Sequence, residues 1–293
     1  MSPSGLIYVA AAAYGGLWVY RDRMARGLGS AALWGLATAL VFPAVFPIYV
    51  LTVRPRDPEA SEWDVPEVVG LGVVIVLTLP LAVAVARVSG MDVASVGVLV
   101  VAQSAVLLAG CLYVARRYEL PVTALGYRMD RWPVLVGRAV LLSVPVVAGA
   151  HYVVQPAAVR LLGLFIGQDQ ARLLAEHEER MNPIVQALPP LDDPVGVAWF
   201  AFLVCVLVPV AEETFFRGLA YPPLRRRYGA PLAMVVTAVV FGAAHFQIVN
   251  FLPITLLGCI LAVLYERTGS LLPAIVLHGL NNLAALIASY VAR

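Results

Sequence analysis

Residues 194–217 read PVGVAWFAFLVCVLVPVAEETFFR. Eighteen uncharged residues lead directly into two adjacent carboxylates, a Thr, two Phe and an Arg. A run of that length approaches the roughly 20 residues a helix needs to cross the hydrocarbon core, and it is too long for a barrel strand. Only helices and closed barrels satisfy their backbone groups in lipid, so the stretch reads as a membrane helix with charge at one end. Working outward, comparable uncharged runs occupy 1–20, 27–53, 68–86, 93–115, 139–159, 228–265 and 268–292. The run 228–265 is long enough for two spans, with His245-Phe246-Gln247 at the turn. The expectation is an all-α, polytopic bundle of about eight to nine spans.

Composition agrees. Of 293 residues, 61% are hydrophobic and 13% charged, and mean hydropathy is +0.86. Ordinary soluble domains carry about 25% charged residues. A net charge of +2 is too small to point to nucleic acid. All 20 basic residues are Arg, a composition bias of the genome, and the predicted setting is a prokaryotic plasma membrane. Cys111, Cys205 and Cys259 lie in apolar runs without a CxxC pair and read as small core residues. Arg21, Arg23 and Arg26 follow the first run instead of preceding it, which favours a retained span over a cleaved signal. These arginines and Arg225, Arg226 and Arg227 both ask to be cytoplasmic, yet nine spans put them on opposite faces.

No internal repeat and no soluble domain is visible. Three parts are expected: N-terminal transmembrane helices over 1–157, an interfacial amphipathic and polar connection over 158–194, and a helical segment with the unusual polar residues over 195–293. Arg138 just inside an apolar run snorkels to the interface.

Ionisable groups at bilayer depth cost about 2.5–3.5 kcal/mol even on a lenient scale, so they normally face a cavity and serve function. Glu212 and Glu213 point about 100° apart on a helix. Glu213 and Arg217, four apart, share a face and suit an ion pair. Glu212 is then free to face a water-filled pocket, where desolvation and a neighbouring carboxylate raise a pKa into the range of a general base. Taken alone, the motif is also what a solvated helix end would carry. His245 interrupts the apolar run 228–265. His278 and Asn282, four apart, present polar groups to one side of a helix, Asn281 being the weaker companion. Alone, His245 could be a hydrogen-bonded core residue, and the His278–Asn282 pair interhelical hydrogen-bond glue. Together, two carboxylates, an Arg, two His and an Asn on successive apolar segments satisfy one another if they converge, and make a hydrolytic site. His151 and His177 lie at a span end and in a polar loop.

In this order, Glu212-Glu213-x-x-x-Arg217, Phe241-x-x-x-His245 and His278-x-x-x-Asn282 resemble the signature of the CPBP family of CAAX proteases and bacteriocin-processing enzymes, also called Abi. Thr268-Gly269-Ser270-Leu271 and Pro273, ahead of His278, are similar to its linking block. The resemblance covers about the last third of the chain. It implies an intramembrane endopeptidase with a conical cavity, in which Glu212 and His245 activate water, His278 and Asn282 hold the oxyanion, and Glu213 and Arg217 brace the site. No cofactor is favoured. A zinc site of Glu212, His245 and His278 is the alternative scheme, and Asn282 suits an oxyanion donor better than a zinc ligand. The implied partners are membrane lipid and a peptide or membrane-protein substrate. Two rival readings are a non-catalytic membrane factor of the immunity or secretion-scaffold kind, and a proton-coupled transporter. The clustering of polar groups in one third and the missing repeat weigh against the transporter.

Overall fold

A computed structural model describes residues 3–55, 62–89 and 93–292. The chain is 84% helix, with no strand among the described residues. It forms two compact units, Met1–Leu81 and Ala82–Arg293.

In the first unit α1 (Pro3–Ala25) packs along α2 (Ala31–Leu40), and α3 (Phe42–Ile48) follows. The apolar run 27–53 does not give one span. It breaks at Val41, two residues ahead of Pro43, since proline offers no N–H to the Ala39 carbonyl and its ring collides with that carbonyl. Val19, Phe46, Tyr49 and Val50 make the core of this unit. The helix α4 (Val65–Ser89) runs from the first unit through the boundary at Leu81.

The second unit continues with α5 (Val93–Arg117), α6 (Trp132–Gly149), α7 (Gln155–Ile166), α8 (Gln168–Met181), α9 (Pro183–Gln186), α10 (Pro194–Phe202), α11 (Val208–Glu213), α12 (Tyr221–Tyr228), α13 (Ala230–Ala243), α14 (Phe251–Thr268) and α15 (Leu272–Val291). Among the described residues five helical stretches are long and apolar enough to cross a membrane: Ala94–Arg117, Trp132–Ile166, Pro194–Tyr228, Phe251–Thr268 and Leu272–Val291. Ala31–Leu40, Phe42–Val53 and Ala230–Ala243 are apolar but shorter. The expectation of eight to nine spans rested on run length. Run length ignores breaks such as Val41 and Gly229, and fusions such as Trp132–Ile166. That 35-residue stretch joins an apolar run to what the sequence suggested was an interfacial helix. The chain is an integral, multi-pass membrane protein.

Two stretches, Trp132–Ile166 and Pro194–Tyr228, contain π turns, at Ala150–Val154, Leu203–Leu207 and Thr214–Ala220. A fourth π turn, Tyr49–Val53, closes α3. Each ends two residues before a proline: Pro55, Pro156, Pro209 and Pro222. The reason is steric. A proline ring collides with the carbonyl four residues earlier, and the wider π turn moves that carbonyl aside, so the helix continues through Pro156, Pro209 and Pro222, whereas before Pro55 it ends at Arg54. The reading of 194–211 as a span that stops at Glu212 is therefore replaced by one continuous helix, wound loosely on both sides of the Glu-Glu pair.

α5, α13 and α15 pack against this helix. Leu257, Leu261, Ala274, Leu277 and Ala139 form the core that joins α14, α15 and α6. Val96, Ala187, Leu188, Phe200, Val204 and Leu286 form a second core. Elsewhere the long helices show Leu141, Val144, Leu164 and Phe165 outward, the surface a helix presents to lipid.

Candidate active site

The π turn at Thr214–Ala220 follows the two glutamates, so their directions and that of Arg217 are set together. Glu213 and Arg217 are fully buried. Arg217 donates from Nη1 to Glu213 Oε1 at 2.8 Å and from Nη2 to the Gly258 carbonyl at 2.7 Å. Its guanidinium lies over the Phe241 ring, 4.8 Å from the centroid. A buried charge needs this much company: a counter-ion, hydrogen bonds for its donors, and a polarisable face. Gly258 makes the second bond possible. A Cβ there would stand 3.1 Å from Ala238 Cα and 3.2 Å from Phe241 Cδ1, so any side chain would press α14 away from α13.

Glu213 Oε1 also meets His278 Nδ1 at 2.9 Å. A carboxylate paired with Arg217 accepts, so Nδ1 carries the hydrogen and Nε2 is the free nitrogen of the neutral ring. Nε2 faces Glu212 Oε2 at 3.8 Å. That is beyond a direct hydrogen bond, and Glu212 Oε2 is itself buried without a hydrogen-bond partner among the described residues. Glu212 keeps 22% of its side chain accessible, while Glu213 keeps none. The two adjacent carboxylates are thus divided. Glu213 is sealed into a chain running Arg217–Glu213–His278, and Glu212 stands at its open end.

His245 sits on the turn after α13. Its Nδ1 donates to the Phe241 carbonyl at 2.8 Å, which again leaves Nε2 free. No hydrogen bond or ion pair joins it to Glu212, Glu213 or His278. Phe241 links it to the group instead, its ring edge-on to both imidazoles, with centroids 4.9 Å from His245 and 5.6 Å from His278.

Asn282, one turn beyond His278, donates from Nδ2 to the Val204 carbonyl at 3.0 Å. At the end of the π turn Leu203–Leu207 the Val208 N–H reaches five residues back, to the Leu203 carbonyl. The next donor in the ladder would be Pro209, which has no N–H. The Val204 carbonyl is left open by that proline, and Asn282 fills the place. The next carbonyl, that of Cys205, lies against Gly279, where a Cβ would collide with its oxygen. So α15 approaches the α10–α11 helix at its proline-loosened turn, which sets where His278 falls against Glu213. One amide N–H of Asn282 is committed here and one is free.

The structure therefore brings Glu212, Glu213, Arg217 and His278 into contact, puts His245 one aromatic ring away, and ties Asn282 to the backbone beside them. Residues the sequence did not single out complete the site. Phe241 contacts Arg217 and both His. Thr214, donating to Val210 O at 2.6 Å, accepts the Tyr127 hydroxyl at 2.6 Å. Phe241 was visible only as the first letter of the Phe-x-x-x-His motif, and Tyr127 carried no signal. Among the described residues no three His, Cys, Asp or Glu side chains stand close enough to hold a metal ion. The zinc set Glu212, His245 and His278 does not fit this arrangement, since His245 reaches neither of the others.

A 24.3 kDa uncharacterised protein of Escherichia coli is 31% identical over 154 residues, covering 49% of this chain and 68% of that one. No solved structure matches the chain. The family model described as type II CAAX prenyl endopeptidase Rce1-like matches residues 194–284, from the first residue of α10 to just past Asn282. Every residue of the Glu–Arg–His–Asn group lies inside that match, and the chain belongs to this family of CAAX-type intramembrane proteases.

Proposed function

We propose that this chain hydrolyses a peptide bond of a membrane-associated substrate in a prokaryotic plasma membrane, with Glu212 as general base. What supports this most is the chain of contacts Arg217–Glu213–His278–Glu212, which leaves one accessible carboxylate beside one imidazole nitrogen. Water held by Glu212 and Nε2 of His278 or His245 has both hydrogens engaged by acceptors, so its lone pairs face outward to a substrate carbonyl. Glu212 takes the proton as the water attacks and returns it to the leaving amine. The carbonyl oxygen becomes an oxyanion, received by the free amide N–H of Asn282. Arg217 and Glu213 do not touch the substrate. They fix the tautomer and direction of His278, as a buried carboxylate does for other catalytic imidazoles. Peptides, bacteriocin precursors and membrane regulators are the substrate classes open to a bacterial member, reached from an intramembrane cavity beside Glu212.

The test is Glu212→Gln in purified protein, assayed against a membrane-peptide library. The amide keeps the size but cannot accept the proton, so turnover should vanish while the thermal transition stays in place. Chelator should leave the wild-type rate unchanged. Retained turnover in Glu212→Gln would sink the general-base role. Stoichiometric zinc that tracks activity would overturn the metal-free chemistry.

A further inference from the structure

His245 stands at the start of the turn 244–250 between α13 and α14. On the α13 side this turn is held by its own helix end: Ala244 N donates to Val240 O, His245 N to Gly242 O and Phe246 N to Ala243 O. Phe246 then takes left-handed backbone, φ +55°, which reverses the chain. On the far side the holding group comes from elsewhere. Glu178, on α8, accepts the Ile248 N–H at Oε1, 2.7 Å, and the Val249 N–H at Oε2, 3.1 Å. Both oxygens of one carboxylate are thus spent on two consecutive backbone donors 70 and 71 residues away. Val249 is buried, whereas Phe246 and Ile248 are exposed and line an open recess of about 400 Å³ with Ala243, Gln247 and Phe251.

Charge-assisted bonds to backbone amides are short and directional, so they fix a loop more firmly than apolar contact does. A turn with exposed apolar side chains and few internal hydrogen bonds belongs to the readily opened part of a structure unless something pins it. Here the pin is Glu178, which lies outside the residues matched to the family, 194–284. We infer that Glu178 is a positioning residue: α8 latches the turn through its backbone and thereby sets where Nε2 of His245 points. The inference rests on the role given to His245 under Proposed function.

The experiment uses the full-length protein with Glu178→Ala and Glu178→Gln, each alone and combined with His245→Ala. Glu178→Ala should speed amide exchange over 244–250 at least about tenfold, with α5 and α15 unchanged. Glu178→Gln, which keeps one acceptor oxygen, should fall between it and wild type. Glu178→Ala should lower kcat about tenfold with KM little changed, since a displacement on the order of 1 Å can cost about a hundredfold. In the His245→Ala background it should cost nothing further, because residues acting through one group are not additive. Unchanged exchange in Glu178→Ala overturns the latch. Full activity in Glu178→Ala, or an equal loss in both backgrounds, overturns the positioning role. If His245→Ala alone keeps wild-type turnover, the reading of His245 fails and takes this inference with it, an outcome distinct from the others.

Discussion

Replacing Arg217 by Ala removes the guanidinium that Glu213 touches. The structure sets the magnitude. Both side chains are fully buried, the pair is 2.8 Å apart, and the same guanidinium satisfies the Gly258 carbonyl. Truncating one partner of a buried pair leaves an uncompensated charge and costs about 3–5 kcal/mol. The orphaned Gly258 carbonyl falls within that range. At about 1.4 kcal/mol per factor of ten, the folding equilibrium constant drops roughly 10²–10⁴-fold, a large share of the about 5–15 kcal/mol that holds a typical domain. The assay is folded yield and thermal transition in detergent, by size-exclusion profile and melting, beside turnover. Arg217→Ala should lose yield, melt lower and be inactive. Arg217→Lys should recover part of the yield, because an ammonium restores the charge but not the forked donors or the stacking on Phe241. Glu213→Gln in the Arg217→Ala background should also recover yield, because it removes the stranded charge, while His278 loses its carboxylate and activity stays low. Wild-type stability in Arg217→Ala, or additive losses in the double variant, would refute the reasoning.

Three further outcomes follow from the same geometry. Asn282→Ala should lower kcat about 10²–10³-fold as an oxyanion donor is lost, and should also destabilise the protein by about 1–3 kcal/mol because the Val204 carbonyl is left unpaired. Pro209→Ala restores a backbone N–H to that carbonyl, so melting of the double variant should recover whereas its turnover should not; recovery of both would assign Asn282 a structural role alone. Gly279→Ala should cut folded yield and activity sharply, since its Cβ meets the fixed Cys205 carbonyl, whereas the closest group to a Cβ at Gly242 is the hydroxyl of Thr255, which can rotate, with the Phe251 carbonyl next at 3.0 Å, so Gly242→Ala should be milder; equal melting temperatures would contradict this. Phe241→Leu should lower turnover more than stability, because it keeps apolar volume while removing the ring that bears on Arg217, His245 and His278, and a melting loss without a rate loss would refute that role.

What the amino-acid sequence determined by itself is the solvent and the local spacing. Long uncharged runs exclude a soluble domain, because lipid leaves helices as the economical way to satisfy a backbone. Glu213 and Arg217 had to meet once their segment was helical, because residues four apart share a face in any helix. The turn at His245-Phe246-Gln247 was legible for a similar reason, since the run 228–265 is too long for one span. The tertiary structure decided the rest. The sequence left Glu212 and Glu213 to be told apart only by the reach of Arg217. It could not show that His278 bonds to Glu213, 65 residues earlier, and merely faces Glu212. Nor could it show that His245 meets the group through Phe241, or that one amide N–H of Asn282 is taken by Val204. These facts depend on how each helix is rotated about its axis. In water a stripe of apolar residues reveals that rotation, but in lipid every face is apolar and the stripe is erased. What fixes rotation here is a proline two residues past each π turn, which leaves Val204's carbonyl for Asn282, and a glycine at 279 that lets α15 come close enough for His278 to reach Glu213.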